Sequence, residues 1–351
     1  MTQPASRPRA RTLGLPFEGR PGPLNAITDV AGIEVGYTTL ISGTSVRTGV
    51  TGIHPRGKAD PGNPVAAGFH SQNGNGEMTG VSWIEESGMF AGPIAITNTH
   101  AVGVAHSGIV AWTVEHHPDL AHGWLLPVAA ETWDGYLNDI NGRHVTEAHV
   151  ISALDQARTG PVEEGSAGGG TGMNCYQFKG GNGTSSRRVA PYTVGVFVQA
   201  NFGARHELSI CGTRLGKHLA ADNPMAEFSL APPGAGSVIA IVATDAPLFP
   251  HQCKAMARRV TSGLARTGTT GSHFSGDLFL AFSTANKDGF ARGHLDFIPW
   301  TELDPFYAAV VQATEEAVVN ALVAAEEMTG RDGHRTPALP RDLVRQLCGR
   351  N

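Results

Sequence analysis

Apolar positions along this chain gather into short unbroken runs more often than into long helical stripes. After Asn25, the segments "ITDVAGIEVGYTTL", "GVTGIHPRG" and "PVAAGFHSQNGNGEMTG" read as short strands bounded by turn residues. "YTVGVFVQANFG" predicts a strand ending at Asn201, and "DLFLAFSTAN" predicts another. Between them, "APPGAGSVIAIVATDAP" sets six consecutive apolar residues directly after Ser237. Apolar residues recurring every three or four positions predict a helix over about 101–116, with Pro118 beyond its end. A second helix is expected over "PHQCKAMARRVTSGLARTG", with Pro250 in its first turn. A third is expected over "DPFYAAVVQATEEAVVNALVAAEEMTG", stopped by Gly330. Strands first, then strand, helix, strand and helix, predict a mixed α/β sandwich of stacked sheets covered by helices. Residues 1–24 are expected to be a flexible Pro/Arg-rich arm, 25–330 a single domain, and 331–351 a polar tail.

Composition narrows the function classes. The 351 residues include 45 glycines, nearly twice the usual share of about 7%, with no collagen period. They predict many tight turns and close backbone approaches. A net charge of −5 without a basic, aromatic-laced cluster argues against a nucleic-acid partner. No apolar run approaches the roughly 18 residues of a membrane span. No secretory h-region follows the N-terminal arginines, so a cytoplasmic location is expected. Cys175, Cys211, Cys253 and Cys348 lie far apart without CxxC spacing, and the 15 histidines form no HExxH. Neither a disulfide framework nor a metal site is expected, and no cofactor is called for.

Several catalytic motifs fail on inspection. "GGGTG" at 168–172 resembles a dinucleotide loop, but Met173 stands where the last glycine of G-x-G-x-x-G belongs. "GGNGTSS" lacks the lysine of a phosphate-binding loop. Val238 and Ile239 after Ser237 exclude a G-x-S-x-G elbow. What remains is Ser237 itself, at the mouth of an apolar strand. Cleavage of the Gly236–Ser237 bond would give this serine a free α-amine, whose ordinary pKa of about 7.7–8 suits a base near neutrality. An N-terminal amine can activate an adjacent hydroxyl, and glycine at 236 eases the bent backbone such a cleavage needs.

Longer words carry more. "GSVIAIVATDAPLFPHQCKAMARR", "SGDLFLAFSTAN", "ETWDGYLNDINGRHV", "GPVEEGSAGGGTGM", "VQANFGARHELSICG" and "NGNGEMTGVSWIEESG" resemble, in order from Asn25 to Asn286, the DmpA/BapA family of self-processing serine aminopeptidases. The resemblance implies a four-layer αββα sandwich related to ornithine acetyltransferase and similar in layout to N-terminal-nucleophile hydrolases. It implies self-cleavage into a large subunit, 1–236, and a small subunit, 237–351. By position, Ser237 matches the nucleophile, Asn201 the oxyanion donor, Ser275 and Asp277 the pair that orients the new amine, and Glu131 the carboxylate that receives a substrate ammonium. Trp133 falls where some relatives carry a pocket tyrosine, with Tyr136 one turn away as a stand-in. Glu85 and Glu86 are further acids, for which a structural role in a loop is the weightier reading. The implied activity is removal of N-terminal residues from short peptides, amides or esters with a free amine, by a homo-oligomer that the family suggests is a tetramer. Two alternatives stay open. One is an acyltransferase of the ornithine acetyltransferase type, against which Ser237 weighs because that family uses threonine. The other is an uncleaved, non-enzymatic binding relative.

Overall fold

The Ser237 strand (Gly236–Thr244) is buried on both faces, and this explains its unbroken apolar run. Val238, Ala240 and Val242 join a core shared with helices, while Ile239, Ile241 and Ala243 face the opposite way into a core between two sheets. The structure, a computed structural model, describes residues 7–228, 232 and 234–349. The Ser237 strand lies inside a six-stranded sheet ordered Met89–Phe90, Val65–Gly74, Ser275–Ser283, Gly236–Thr244, Tyr192–Asn201 and Gly181–Val189. It runs antiparallel to the Asn201 strand (Tyr192–Asn201) and parallel to the Asp277 strand (Ser275–Ser283).

A four-stranded sheet, Glu34–Ser42, Val46–His54, Ile94–Asn98 and Val128–Thr132, stacks on the inner face. Ile53, Ile94, Ile96 and Val128 meet Phe197, Ile239, Ile241 and Leu280 between the sheets. The helices Val102–His116 and Glu147–Asp155 cover the four-stranded sheet through Ala105, Ile109, Trp112, Val150 and Leu154. The helices Pro250–Arg266 and Asp304–Ala324 cover the six-stranded one. The layers are therefore αββα, as expected.

Local differences have physical causes. The last long helix ends at Ala324 rather than at Gly330, and Ala325 is already extended. Arg341 donates to the Val323 carbonyl at 2.7 Å and the Ala325 carbonyl at 2.9 Å, satisfying acceptors that a helix end leaves open. The strand Gly181–Val189, "GNGTSSRRV", shows no apolar pattern because the Asp304–Ala324 helix lies on its backbone. A Cβ on Gly183 would stand 1.9 Å from the Ala317 carbonyl oxygen.

The N-terminal arm is not free over its described part. Ala10, Leu15 and Phe17 are buried, Arg9 pairs with Glu164 at 2.7 Å, and the Ala10 N–H donates to Asn320 Oδ1 at 2.9 Å. The tail is likewise docked, with Leu339, Val344 and Cys348 buried by the Arg341–Cys348 helix and the segment before it. These contacts join residues far apart in the chain, which a local pattern cannot reveal.

Glu316 is the keystone of the arm. It is fully buried and accepts from Arg187 at 2.7 Å, Arg11 at 2.8 Å and Asn25 at 2.6 Å. Removing one partner of a buried pair strands the other charge, at a cost of about 3–5 kcal/mol, whereas an exposed pair contributes about 0–1 kcal/mol. Glu316→Ala should therefore lower unfolding free energy in urea by about 3 kcal/mol or more, and Glu326→Ala, which breaks the exposed contact to Arg341, by under about 1 kcal/mol. Equal losses in the two variants would contradict this.

Candidate active site

Strand register assembles the site. Asn201 is the direct partner of Ser237 across the antiparallel pair, and Gly276 is its partner across the parallel pair. Direct partners point to the same face of a sheet, while neighbours along a strand alternate. Ser237 and Asn201 therefore face the inner side. Ser275 and Asp277, in register with Gly236 and Val238, face the outer side, as Phe279 and Ala281 do further along. The resemblance brings these four residues to one place, and the pleat sorts them to two faces of it.

On the inner face, Ser237 Oγ accepts from the Trp133 backbone N–H at 3.1 Å and from Asn201 Nδ2 at 3.4 Å. Asn201 is itself held at both ends of its amide. Its Oδ1 accepts from the Asn174 backbone N–H at 2.8 Å, and its Nδ2 donates to the Trp133 carbonyl at 2.8 Å. Two fixed donors converge beside the Ser237 hydroxyl, where a substrate carbonyl oxygen bound next to it could take them up as negative charge develops.

On the outer face, Ser275 Oγ donates to Asp277 Oδ1 at 2.5 Å, and Asn73 Nδ2 donates to Oδ2 at 3.0 Å. Burial pushes the Asp277 carboxyl up, and these two donors hold it back. Because Ser275 is level with Gly236, the pair sits beside the main chain at the Gly236–Ser237 junction rather than beside the Ser237 hydroxyl. Gly236 is confined, since a Cβ there would lie 2.0 Å from the Asn201 carbonyl oxygen.

A cavity of about 550 Å³ opens over Ser237 and is lined by Glu131, Trp133, Asn201, Phe202, Met225, Phe228 and Phe274 among others. Glu131 is buried; its Oε1 accepts from the Glu77 N–H at 2.9 Å and its Oε2 from the Thr99 hydroxyl. Burial raises its pKa, opposed by those two donors. Trp133 lines the cavity beside Phe228, their ring centroids 6.2 Å apart. Tyr136 does not stand in for a pocket tyrosine: its hydroxyl turns to the Arg335 carbonyl at 3.3 Å and its ring stacks on His334. Glu85 pairs with Lys254 at 2.6 Å on the surface, and Glu86 is exposed nearby; neither lines the cavity. Asn73, Thr99, Asn174 and the Trp133 N–H contact the candidate site residues and were missed in the sequence. A single polar residue in a turn, or a backbone N–H, leaves no pattern to find.

A layered sandwich with a serine at a strand mouth, two converging donors and a buried carboxylate in the cavity defines a serine aminopeptidase of the N-terminal-nucleophile-hydrolase type. Residues 25–336 match peptidase family S58, and the chain belongs to that family. It is 47% identical over 368 residues to the beta-peptidyl aminopeptidase BapA of Sphingosinicella microcystinivorans, covering 98% of this chain and 92% of that protein. The solved L-aminopeptidase D-Ala-esterase/amidase of Ochrobactrum anthropi, described as a prototype serine aminopeptidase and a variant of the Ntn hydrolase fold, superposes with a TM-score of 0.91 at 46% identity, covering 97% of this chain and 99% of that one. A beta-aminopeptidase from Burkholderia sp. gives 0.90 at 42% identity, covering 98% and 100%. Neither the acyltransferase nor the non-enzymatic alternative is favoured.

One buried acid beside the site yields a stability prediction. Asp134 follows Trp133, is fully buried, and is driven from its ordinary 3.8 to about 7 by burial, against donors that include Asn138 Nδ2 at 3.1 Å. Its folded-state pKa lies above the unfolded one, so the stability it contributes is fully present below about pH 4 and is lost as pH rises toward 7. Asp134→Asn should match the parent protein near pH 4 and exceed it at pH 8, by about 2–4 kcal/mol in urea unfolding. An advantage that does not grow with pH would mean that Asp134 is not held protonated by burial.

Proposed function

We propose that the chain matures by breaking its own Gly236–Ser237 bond, and that the freed Ser237 then removes N-terminal residues from short peptides, amides or esters. In maturation, Ser237 Oγ would attack the Gly236 carbonyl carbon. The peptide C–N bond then breaks as the ester forms, the Ser237 nitrogen takes a proton to become the α-amine, and water hydrolyses the ester to leave a Gly236 carboxylate. In turnover, the same hydroxyl attacks the substrate carbonyl and passes its proton to the α-amine. Asn201 Nδ2 and the Trp133 N–H carry the oxyanion. The amine returns the proton to the leaving group, and water releases the acyl residue.

The observation that carries this reading is the shortage of other bases. Among the described cavity-lining residues, Glu131 is the sole titratable side chain, and it is already engaged by the Glu77 N–H and Thr99. A hydroxyl with two donors and no neighbouring imidazole or lysine needs a base from its own main chain. Ser275 and Asp277, beside that main chain, are suited to orient the amine. Glu131 is suited to receive the substrate's ammonium, since a buried ammonium without a partner is costly. The relatives' names cover both beta-peptidyl and L-aminopeptidase activities. A panel of p-nitroanilides of L-Ala, D-Ala and β-Ala would assign this chain between them.

We also propose a homo-oligomer, with the family's tetramer as the expected form. Trp83, Val114, Trp124 and Leu126 expose apolar surface, and Trp124 is 95% exposed. No helix among the described residues is long and apolar enough to cross a membrane. A cytoplasmic location fits the four cysteines, which form no disulfide.

Two experiments test the proposal. Ser237→Ala should run as one band on a denaturing gel where the parent protein gives two, with the new N-terminus at Ser237. Cleavage of the alanine variant at the parent's rate would assign the cut to another protease. For turnover, kcat/KM should rise with pH through one ionisation between about pH 6 and 8, the range of a perturbed α-amine. The Asp277 carboxylate favours the protonated amine, so Asp277→Asn should move that rise to lower pH. A parent limb near pH 4 would identify a carboxylate as the base, and an unmoved limb in the variant would mean that Asp277 does not act on the titrating group.

A further inference from the structure

Lys179 is fully buried, yet among the described residues no carboxylate pairs with it. Its Nζ donates to three carbonyl oxygens instead: Met173 at 2.7 Å, Gly180 at 3.0 Å and Gly170 at 3.4 Å. Burial, with the Arg7 charge adding to it, lowers its pKa to about 7, while Cys175 and Asp134 act in the opposite direction. A buried ammonium is costly, and an apolar side chain would fill this space with less penalty. The position of the Met173 carbonyl suggests what the charge does. That oxygen and the Asn174 N–H are the two ends of one peptide group, and the Asn174 N–H is the donor that fixes Asn201 Oδ1. Nδ2 of the same side-chain amide then faces Ser237 Oγ.

We infer that Lys179 is a positioning residue of the oxyanion site, acting through the Met173–Asn174 peptide on the Asn201 amide. The inference rests on the oxyanion role proposed for Asn201. The ammonium draws electron density toward the Met173 oxygen, which makes the Asn174 N–H a stronger donor. That bond draws density toward Asn201 Oδ1 and makes its Nδ2–H a stronger donor in turn. Hydrogen bonds in such a chain polarise one another, and the gain is largest when negative charge appears at the far end. That charge is present in the transition state and not in the bound substrate, so the effect belongs to kcat. The same grip fixes the peptide plane, and with it the direction of the Asn201 amide.

The test is a double-mutant cycle on mature enzyme at about pH 6, below the pKa of Lys179, so that the parent side chain carries its charge. Lys179→Met keeps the stem and removes the ammonium, and it should lower kcat by about 5–20-fold with KM changed less than about 2-fold. Asn201→Ala alone should lower kcat by about 100-fold or more. In the Asn201→Ala background, Lys179→Met should cost no more than about 2-fold, because the element through which it acts is gone. A full 5–20-fold loss in both backgrounds, or a loss confined to KM, would overturn the inference while leaving the Asn201 role intact. An unchanged kcat in Asn201→Ala alone would instead overturn the oxyanion reading on which it rests. If Lys179→Met does not fold, Lys179→Gln, which keeps a donor but loses the charge, takes its place in the same cycle. Lys179→Arg, which keeps the charge, should retain more of kcat than either neutral variant. Arginine no better than glutamine would refute a role for the charge.

Discussion

The site depends on one constraint, the pairing of Ser237 with Asn201 on one side and Gly276 on the other. Because side chains alternate across a sheet, this register sends the serine hydroxyl to the inner face and the Ser275–Asp277 pair to the outer one. The hydroxyl meets donors and the main chain at 236–237 meets an acid. A slip of one residue would invert every side chain of the strand and bring Asp277's face to the hydroxyl. Such a slip is opposed by the strand's own burial: Ile239 and Ile241 fill the core between the sheets, while Val238 and Val242 fill the core under the helices. The apolar run after Ser237 thus acts on the chemistry indirectly, by fixing which way the hydroxyl points.

The constraint reaches the neighbouring glycine and the glycine-rich loop. Gly236 passes so close to the Asn201 carbonyl that a side chain there would push the two strands apart. From the other side, the loop before Lys179 delivers the Asn174 N–H to Asn201, and Lys179 ties the carbonyls of that loop together. The Asn201 amide is therefore held by elements on both sides of it, so its direction toward Ser237 is set by the fold.

Much of this was legible in the sequence, for identifiable reasons. The Asn201, Ser237 and Asp277 strands each carry enough apolar residues to declare themselves; the Pro250–Arg266 helix carries a three- and four-residue period, whereas the Asp304–Ala324 helix is buried all round from Ala313 onward. The candidate site residues were legible only through long words such as "QANFG" and "SGD", because by spacing alone Asn201 is a turn residue and Asp277 precedes a strand. The Gly181–Val189 strand was hidden because its packing partner is a helix backbone, which selects glycine and small polar residues. The Glu147–Asp155 helix is short, and its apolar positions, Val150, Ala153 and Leu154, make too brief a pattern. The N-terminal arm was misread as free because its anchors, Glu164, Glu316 and Asn320, lie more than 150 residues away. Asn174 meets Asn201 through its own backbone N–H, which leaves no trace in residue identity, and the Lys179 side chain meets only backbone carbonyls, which carry no sequence signal of their own.

The same topology answers how a chain cut at Gly236 can remain one molecule. The Ser237 strand begins the prospective small piece, yet it lies between the Asn201 strand of the large piece and the Asp277 strand of its own. Glu131, Trp133 and Asn201 come before the cut, whereas Ser237, Ser275 and Asp277 come after it. Neither piece holds a site alone. The interface between them is the middle of a sheet with a core on each face, so separating the pieces would expose what folding buried. Because the strand begins at Gly236, the proposed cut would fall at its very first peptide bond and leave the ladder beyond it intact. A new amine can therefore be released at the mouth of the cavity without loosening the strand that aims it. A cut made inside the strand would free an amine only by breaking the sheet. A cut made further out in the loop would leave the amine on a tether too long to be held beside its own hydroxyl.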